Sequence, residues 1–545
     1  MAQSRSEIAM WARNLLFVGV VGAGLGALGA ALYPPRLPDR LRHVDLSATQ
    51  NAGFRASVAR VDDAFARQWK AQDLTPAPAA PELTVLRRLT LSLTGSIPSL
   101  EEIRQFEAYA GEDRLQWWLA GLLEERRFAD YFAERLARAY VGTEDGPFLV
   151  YRRRRFAAWL SDQIHANRPY DQLVRELIAS DGLWTNKPAT NFVTVTIEPD
   201  KAKGPNPERL AARVARAFLG VRLDCAQCHN HPFQRWTQAD FQGLAAFFGQ
   251  VEQGFTGIHD GDGELRLENR KTGAAETIAP RVPFRAELVP GEGTRRSQLA
   301  QWVTDPGNAY FARATVNRVW ALLLGRPLVD PVDDLLTVEE VPLALPVLAD
   351  DFVANGYDLQ RLVQLVLATR VFRLSSAASF EITDAHEKAW AAFPVSRLRP
   401  EQVAGGVQQA GSVTTLNQDS HILWRIVRAA GENEFVRRYG DTGEDEFDSH
   451  GGTIPQRLLL MNGTLVKEKT KAELLTASGQ IAMLAPSDSA AVENAYLGVL
   501  TRRPTQQEGA HFETRLSGTS GEERQRILED IYWTLINSTE FSWNH

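Results

Sequence analysis

The chain has 545 residues, of which 44% are apolar and 23% charged, and this composition excludes disorder as its main state. Its formal net charge of −7 excludes a global basic field for binding nucleic acid. Its two cysteines, Cys225 and Cys228, exclude a disulfide-built scaffold and a multi-cysteine metal cluster. At roughly 100–200 residues per domain, the length predicts two to four domains.

An uncharged apolar segment lies near the N-terminus. Residues 15–33 are long enough, at about 1.5 Å per residue, to cross a bilayer as one helix, and Pro34 ends the segment. We therefore predict residues 1–35 to be a membrane anchor or signal segment. Its length favours an uncleaved anchor, while the small residues near its end keep cleavage open. An inward-facing N-terminus would anchor the protein in the inner membrane, with the bulk of the chain in the periplasm.

Residues 36–80 are predicted to be a linker with one helix, ending in the Pro/Ala-rich stretch TPAPAAPEL. Residues 81–250 have a helical pattern and form the first predicted domain. Ser99 before Glu101 and Glu102 is typical of a helix N-cap with an acidic first turn. Further helices are predicted at about 114–123, 128–139, 151–167, 170–178 and 207–219.

Residues 251–295 are rich in glycine and charge and alternate in short stretches, which predicts a β or loop spacer. Residues 296–545 are again helical and form a second domain. The predicted fold class is therefore mainly α, with two helical domains, a short β/loop spacer and an N-terminal transmembrane helix. The helices of the second domain are predicted at about 297–304, 309–324, 342–355, 359–369, 400–410, 454–462, 465–476, 487–500, 506–515 and 522–537.

One motif in the chain indicates a specific chemistry. Residues 225–229 are Cys-Ala-Gln-Cys-His, the attachment pattern of c-type haem. In that chemistry Cys225 and Cys228 bind the two vinyl groups, and His229 is the proximal iron ligand. Haem attachment outside the cytoplasm agrees with the predicted export segment.

Two other uses of the same residues remain open. Cys225 and Cys228 could close a disulfide, because the C-x-x-C spacing does so readily in oxidising compartments. Alternatively Cys225, Cys228, His229 and His231 could supply four nitrogen and sulfur ligands to zinc. Four ligands within seven residues seldom surround a tetrahedral ion well.

Several segments together resemble the paired planctomycete domains of unknown function, a cytochrome-associated PSCyt-type domain followed by a planctomycete-specific PSD-type domain. The resemblance covers most of residues 80–545. The segments that carry it are LRRLTLSLTGSIPSLEEIRQF, RRRRFAAWLSDQIHANRPYDQLVRELIASDG, RAFLGVRLDCAQCHNHPFQRWTQADFQGLAAFF, RSQLAQWVTDPGNAYFARATVNRVWALLLGRPLVDPVDDL, DFVANGYDLQRLVQLVLATRVFRLSS, IPQRLLLMNG, LGVLTRRPTQQE and DIYWTLINSTEFSWNH.

The resemblance implies a fold and an envelope setting more than an activity. The family name favours haem, and the second histidine of the family pattern, His231 here, keeps a metal open. Gln234 departs from a position that is often acidic in the family, which weakens a role for an acidic group there. In the VNRVW segment we predict that Arg318 makes a buried ion pair or caps a carbonyl, with Asp333 or Asp334 as its partner.

Two functional hypotheses follow. The first is a membrane-anchored extracytoplasmic protein that binds haem c and takes part in electron transfer or envelope redox chemistry, with redox or envelope proteins as partners. The alternative is a non-haem envelope scaffold or binding protein for polysaccharide or protein, with a disulfide or zinc knuckle. No hydrolase elbow, P-loop or HExxH motif occurs, so no residue is identified as catalytic.

Overall fold

The structure is a computed structural model. It describes residues 44–111, 113–143, 151–197, 204–227, 229–230, 236–268, 273–337, 341–416, 435–436, 438–440, 447 and 453–545. The segment predicted to be the membrane anchor lies outside these residues. Within them, no helix combines the length and the apolar character needed to cross a membrane.

The fold is mainly helical, as predicted. The first helices along the chain are α1 (Ser47–Gln50), α2 (Ala52–Ala71), α3 (Glu82–Thr94), α4 (Leu100–Ala108), α5 (Arg114–Glu124), α6 (Arg126–Val141), α7 (Arg153–His165), α8 (Tyr170–Ala179), α9 (Asn191–Thr194), α10 (Pro207–Val214) and α11 (Gln238–Ala246).

Those that follow are α12 (Arg295–Thr304), α13 (Ala309–Leu324), α14 (Ala344–Ala354), α15 (Leu359–Ala368), α16 (Arg370–Arg373), α17 (Asp384–Lys388), α18 (Pro400–Ala410), α19 (Ile454–Asn462), α20 (Thr464–Thr470), α21 (Ala477–Leu484), α22 (Asp488–Leu500), α23 (Gln506–Leu516) and α24 (Gly521–Ile536).

Short antiparallel pairs of strands accompany the helices. The spacer contains β1 (Val251–Gly254) paired with β2 (Gly257–Asp260), and β3 (Arg266–Glu268) paired with β4 (Ala275–Thr277). The chain end forms β6 (Trp543–Asn544), which pairs with β5 (Ser396–Arg397). Gly257 has φ 99° at the β1–β2 turn, where its Cα faces the backbone of Gly182 too closely for a side chain.

Several helices begin at residues whose side chains cap the first turn. Ser99 accepts a hydrogen bond from the Glu102 backbone N–H at 3.0 Å, and the Glu102 carboxylate accepts one from the Ser99 N–H at 2.8 Å. This reciprocal arrangement satisfies two donors that a helix start would otherwise leave unpaired. The predicted cap at Ser99 is therefore confirmed, and Thr237 and Asp240 begin α11 in the same way.

Buried apolar side chains form two clusters. The first extends along the chain from Phe54 to Phe393, with Leu497 added. The second is built from residues 398–541, together with Leu91 and Ile97. Helix α3 therefore contributes to both clusters, and its residues connect them.

Two adjacent arginines on α3 hold the C-terminal segment. Arg87 donates to the carbonyl oxygen of Val499 at 3.0 Å and to that of Phe541 at 3.2 Å. Arg88 donates to the carbonyl oxygen of His545 at 2.8 Å, and its guanidinium lies 3.6 Å from the ring centroid of Phe393. Burial lowers the pKa of Arg87 to about 10 and that of Arg88 to about 9. The Arg-Arg pair of the LRRL segment thus stabilises contacts with residues more than 400 positions away.

A buried ion pair links the two clusters at another point. Arg135 on α6 lies 2.8 Å from the carboxylate of Glu401 on α18, and the Arg135 side chain is 1% exposed. Arg399 lies 3.1 Å from the same carboxylate and donates to the Tyr131 hydroxyl at 2.7 Å. Burial raises the pKa of Glu401, but the charges of Arg135 and Arg399 outweigh burial and hold it below its ordinary value.

Replacing Glu401 with glutamine is expected to lower the free energy of unfolding by about 2 kcal/mol at pH 7, because Arg135 loses its charged partner. A carboxyl group with a depressed folded pKa stabilises the fold above its unfolded pKa and loses that contribution as the pH falls through the folded pKa. The difference between wild type and Glu401→Gln should therefore shrink as the pH falls below 4.5, the ordinary value. Urea unfolding between pH 7 and pH 3 measures this difference.

Glu522→Gln is the matched control, since the Glu522 side chain is 87% exposed. It should leave both the stability and its pH dependence unchanged. A constant difference between wild type and Glu401→Gln at all pH values would contradict the role given to the carboxylate.

Candidate cofactor site

The cysteine-bearing segment follows a tightly constrained helix end. Helix α10 continues into one turn of π-helix, Ala215–Leu219, which ends at Gly220 with φ 59°. A methyl group on Gly220 would lie 3.0 Å from the Leu335 Cγ and 3.2 Å from the Ala314 Cβ. The Leu335 N–H also donates to the Gly220 carbonyl at 2.8 Å. Glycine is required here by the backbone conformation and by the close approach of the segment around Leu335.

The motif itself begins in a short 3-10 turn. Cys225 lies in the turn Asp224–Gln227, and His229 follows it as an exposed residue. Cys228 and His231 lie outside the described residues. Cys225 and His229 are therefore the predicted ligands whose backbone positions can be compared: Cys225 lies within the turn Asp224–Gln227, and His229 follows that turn, ahead of α11.

Gln238, at the beginning of α11, holds this turn in place. Its backbone N–H donates to the Asn230 side-chain oxygen at 3.0 Å, and its side-chain amide donates to the Gln227 carbonyl at 3.1 Å. Ala226 is fully buried and its N–H donates to the Leu223 carbonyl at 2.9 Å. The turn is thus anchored by a buried alanine below and by α11 at its side.

The imidazole of His229 has one nitrogen engaged. Its Nδ1 lies 2.7 Å from the Asn230 carbonyl oxygen. A carbonyl can only accept, so this contact assigns the proton to Nδ1 and leaves the lone pair on Nε2. An imidazole held through Nδ1 in this way is oriented for metal ligation through Nε2.

The described chain neighbours of His229 are polar and exposed, whereas the next apolar residue described after the motif is buried. Gln227, His229 and Asn230 are exposed. Trp236, which follows the motif, is 2% exposed and its ring centroid lies 6.0 Å from that of Phe284. The histidine, exposed and held through Nδ1, therefore fits an iron or zinc ligand, and its position suits a cofactor placed at the surface.

A cluster of at least three metal-ligating side chains is absent from the described part of the chain. Cys228 and His231 lie outside that part, so this observation does not test the four-ligand zinc set predicted from the sequence.

Ion pairs join the segment that precedes the C-x-x-C-H motif to the second helical half of the chain. Asp333 lies 2.7 Å from the Arg222 guanidinium and 3.4 Å from that of Arg216. Asp333, one of the two partners predicted for Arg318, thus pairs with Arg216 and Arg222, while these contacts leave the alternatives of Asp334 or a carbonyl for Arg318 as a prediction. Sequence spacing gave no signal for these pairs, since more than 100 residues separate their partners.

Arg318 lies instead beside two buried tyrosines. Its residue surface is 8% exposed. The hydroxyl groups of Tyr140 and Tyr170 hydrogen-bond to each other. Burial raises the pKa of both tyrosines, and the positive charge of Arg318 opposes this rise. A buried cation beside two hydroxyl groups indicates a structural polar centre between α6, α8 and α13.

Asn317, the neighbour of Arg318, holds the loop that carries Asp333. It is fully buried, donates to the Val329 carbonyl at 2.8 Å and accepts from the Val329 N–H at 2.9 Å. It also lies 3.4 Å from the carbonyl of Val332. The VNRVW segment therefore orders the loop whose next residues contact Arg222 and Gly220.

Replacing Asn317 with leucine is expected to lower the free energy of unfolding by about 2–3 kcal/mol. Leucine is similar in size but leaves the buried Val329 N–H and C=O without their side-chain partner. Hydrogen exchange at residues 329–335 and at 220–227 should accelerate together, and mass spectrometry after urea titration measures both effects.

Asn355→Leu is the control, because the Asn355 side chain bonds to the Asp351 carbonyl within its own helix end, at 2.7 Å. It should change the stability by less than about 1 kcal/mol and leave exchange at 220–227 unaltered. Slow exchange at 220–227 in Asn317→Leu would contradict the coupling between the two segments.

Known protein families match two separate parts of the chain. No curated protein and no solved structure shows a significant match to the chain. Residues 60–253 match the family PSCyt2, protein of unknown function (DUF1549). Residues 295–420 match the family PSD1, protein of unknown function (DUF1553). The cysteine-bearing turn thus belongs to the first match and its supporting loop to the second, and the chain is a member of the proteins that carry a PSCyt2 domain followed by a PSD1 domain.

Proposed function

We propose that this protein is a membrane-anchored extracytoplasmic redox protein with haem c attached at Cys225 and Cys228. His229 is the proximal ligand in this proposal. The observation that carries it is the hydrogen bond of His229 Nδ1 to the Asn230 carbonyl, at 2.7 Å, which leaves Nε2 free for iron. The C-x-x-C-H spacing supplies the two thiols at the required positions.

When bound, haem c supplies one-electron transfer. The exposed positions of Gln227, His229 and Asn230 would leave such a group accessible to a redox or envelope protein partner. The uncharged segment 15–33 supports placement at the inner membrane with the bulk of the chain in the periplasm. The net charge of −7 disfavours nucleic acid as a partner.

A pyridine haemochrome spectrum tests the proposal on the full chain, produced with the cytochrome c maturation machinery. We expect a spectrum of a haem with two thioether bonds and haem that stays with the protein after denaturation. Cys225→Ser should shift the band toward that of a single thioether, and His229→Ala should abolish stable attachment.

Gln227→Ala is the control, because it changes an exposed residue inside the motif and leaves C-x-x-C-H intact. It should mature like the wild type. A colourless full-length product under these conditions would exclude the haem proposal.

A second candidate function is a non-haem envelope scaffold or binding protein for polysaccharide or a protein partner. The polar exposed residues around His229 favour it, because a small ion needs no apolar pocket and Nε2 can ligate zinc equally well. Cys225, Cys228, His229 and His231 would hold zinc, or the cysteines would form a disulfide.

Elemental analysis and thiol counting of the exported protein separate these forms. One zinc per chain, lost in His231→Ala, supports the knuckle, whereas two thiols that appear only after reduction support the disulfide. A protein with neither, whose stability is unchanged by Cys228→Ser, would contradict this second candidate.

A further inference from the structure

The polar centre between α6, α8 and α13 contains a cation without a counter-charge. Arg318 is 8% exposed, and its Nε atom is enclosed and has no hydrogen-bond partner. Within the described residues, no hydrogen bond and no ion pair reaches the Arg318 guanidinium. The Asp334 or carbonyl partner predicted for it from the sequence is therefore not seen among these residues.

The other buried arginines of the described chain have partners. Arg87 and Arg88 donate to backbone carbonyl oxygens. The remaining ones lie within 3.5 Å of a carboxylate oxygen, and they are Arg135, Arg138, Arg296 and Arg399. Because burying a charge without a partner is unfavourable, we expect Arg318 to have a partner that the chain itself does not supply.

Aromatic and hydroxyl groups surround Arg318. Phe311, Thr315 and Arg318 follow one another on α13 at intervals of four and three residues, so they share one side of that helix. Tyr170 stacks on Phe311, with 5.6 Å between the ring centroids, and its hydroxyl hydrogen-bonds to that of Tyr140. Burial raises the pKa of both hydroxyls and the charge of Arg318 opposes the rise, while no carboxylate of the described part contributes.

The charged residues next to the two tyrosines do not compensate Arg318. Arg213, in the last turn of α10, is itself a cation and donates to the Tyr140 carbonyl at 2.5 Å. Asp171, which follows Tyr170 on α8, lies 3.2 Å from the Arg175 guanidinium. The local charge is therefore positive.

The two terminal nitrogens of Arg318 are accessible from solvent. Nε is the guanidinium nitrogen that is both enclosed and without a partner. Since the terminal nitrogens also lack a partner in the described chain, the exposed part of the residue includes them. A guanidinium presents these nitrogens side by side, in a geometry that matches the two oxygens of a carboxylate.

We propose that Arg318 binds a small monovalent carboxylate, such as acetate or formate, in this polar centre. The guanidinium would donate to both carboxylate oxygens. One hydrogen bond joins Tyr140 and Tyr170, so one of their two hydroxyl protons is left for a further acceptor. A divalent anion such as sulfate would bring a second buried negative charge against a single unpaired cation, which is unfavourable.

The bound carboxylate would stabilise the contact between the two matched parts of the chain. Tyr140 and Tyr170 lie in the first matched part and Arg318 in the second. Ala314, one turn before Arg318 on the same side of α13, lies 3.2 Å from the position of a methyl group on Gly220. The proposed site is thus close to the segment that leads to the C-x-x-C-H motif, but it requires neither haem nor zinc.

Urea unfolding of the full chain in mild detergent tests the proposal. The protein is unfolded at pH 7 in sodium acetate, chloride or sulfate at equal ionic strength. We expect acetate to lower the unfolding equilibrium constant by about tenfold at about ten times its dissociation constant, with saturation, and chloride and sulfate to have less effect. Isothermal titration calorimetry with acetate should give one site per chain.

Arg318→Met should abolish the response to acetate. In chloride it should leave the urea midpoint unchanged or raise it, because the variant removes a buried cation without a partner. Arg296→Met is the matched control, since Arg296 is a buried arginine that pairs with carboxylates. It should lower the midpoint and retain the response to acetate.

Tyr170→Phe tests the site without removing a charge. Phenylalanine keeps the ring that stacks on Phe311 and deletes one hydroxyl group. The dissociation constant for acetate should rise by about threefold to tenfold, the usual effect of losing one hydrogen bond. Cys225→Ser should leave acetate binding unchanged, so the result is independent of what the motif holds.

Equal unfolding constants in acetate and chloride would overturn the proposal. So would a midpoint in Arg318→Met that falls as far as in Arg296→Met, because this result would give Arg318 a partner within the chain. An equal response to acetate and sulfate would indicate an adventitious ion only and would also overturn it.

Discussion

Replacing Arg296 with methionine is expected to lower the free energy of unfolding by about 3–5 kcal/mol, because a buried ion pair loses its cation. The Arg296 side chain is fully buried and its Nε donates to the Asp260 carboxylate at 2.7 Å. It also donates to the Ser180 carbonyl at 2.8 Å and pairs with Asp181. Methionine preserves the packing of the stem but leaves Asp260, with a side chain 15% exposed, without this partner. The midpoint of urea unfolding measures the loss.

Arg295→Met is the matched control at the adjacent position. Arg295 lies 2.6 Å from Glu264, and both side chains are partly exposed, at 21% and 34%. Ion pairs with this access to solvent contribute about 0–1 kcal/mol, so a small loss is expected. Equal losses of unfolding free energy in Arg296→Met and Arg295→Met would show that the burial of Arg296 does not determine how much it stabilises the protein.

Replacing Trp320 with alanine is expected to destabilise the protein by about 3–5 kcal/mol, the usual range for removing a large buried aromatic side chain. Trp320 is fully buried on α13. Its ring centroid lies 5.6 Å from that of Phe65 on α2 and 5.2 Å from that of Trp390. The substitution opens a cavity where three segments, distant along the chain, pack together. Urea unfolding followed by near-UV circular dichroism measures both the stability and the loss of aromatic packing.

Phe255→Ala is the comparison for this variant, since Phe255 is an aromatic residue that is fully exposed at the β1–β2 turn. It should change the free energy of unfolding by no more than about 0.5 kcal/mol. A Trp320→Ala protein as stable as Phe255→Ala would mean that the first cluster tolerates the cavity by rearranging.

Helix positions were predictable where the signal is local. Helix α13 at Ala309–Leu324 and α18 at Pro400–Ala410 have the predicted bounds, because apolar periodicity and end residues specify them within one segment. The predicted helix at 465–476 was wrong at its end. Thr476 accepts from the Gly479 N–H and begins α21, so the chain turns after Thr470 and exposes Leu474 and Leu475.

The sequence predicted which residues belong to the candidate site, but it did not predict how their side chains are oriented or paired. The spacing of Cys225 and His229 is visible in five residues, and in the structure Cys225 lies in the turn Asp224–Gln227 with His229 after it. The orientation of the imidazole was not predictable. It depends on the Asn230 carbonyl, and Asn230 is in turn held by the backbone N–H of Gln238 at the start of α11. Nor could the sequence give the pairing of Asp333 with Arg222, whose partners are 111 residues apart.

By itself, then, the sequence determined the mainly helical class, the starts of many helices and the residues of the C-x-x-C-H motif, since caps, periodicity and motif spacing act over a few neighbouring residues. Only the tertiary structure decided that Asn317 orders the loop that reaches Gly220 and Arg222, and that α3 contributes to both apolar clusters. It also decided which apolar side chains of the C-terminal helices stay exposed. These features depend on which distant segments pack together, and no local pattern encodes that choice.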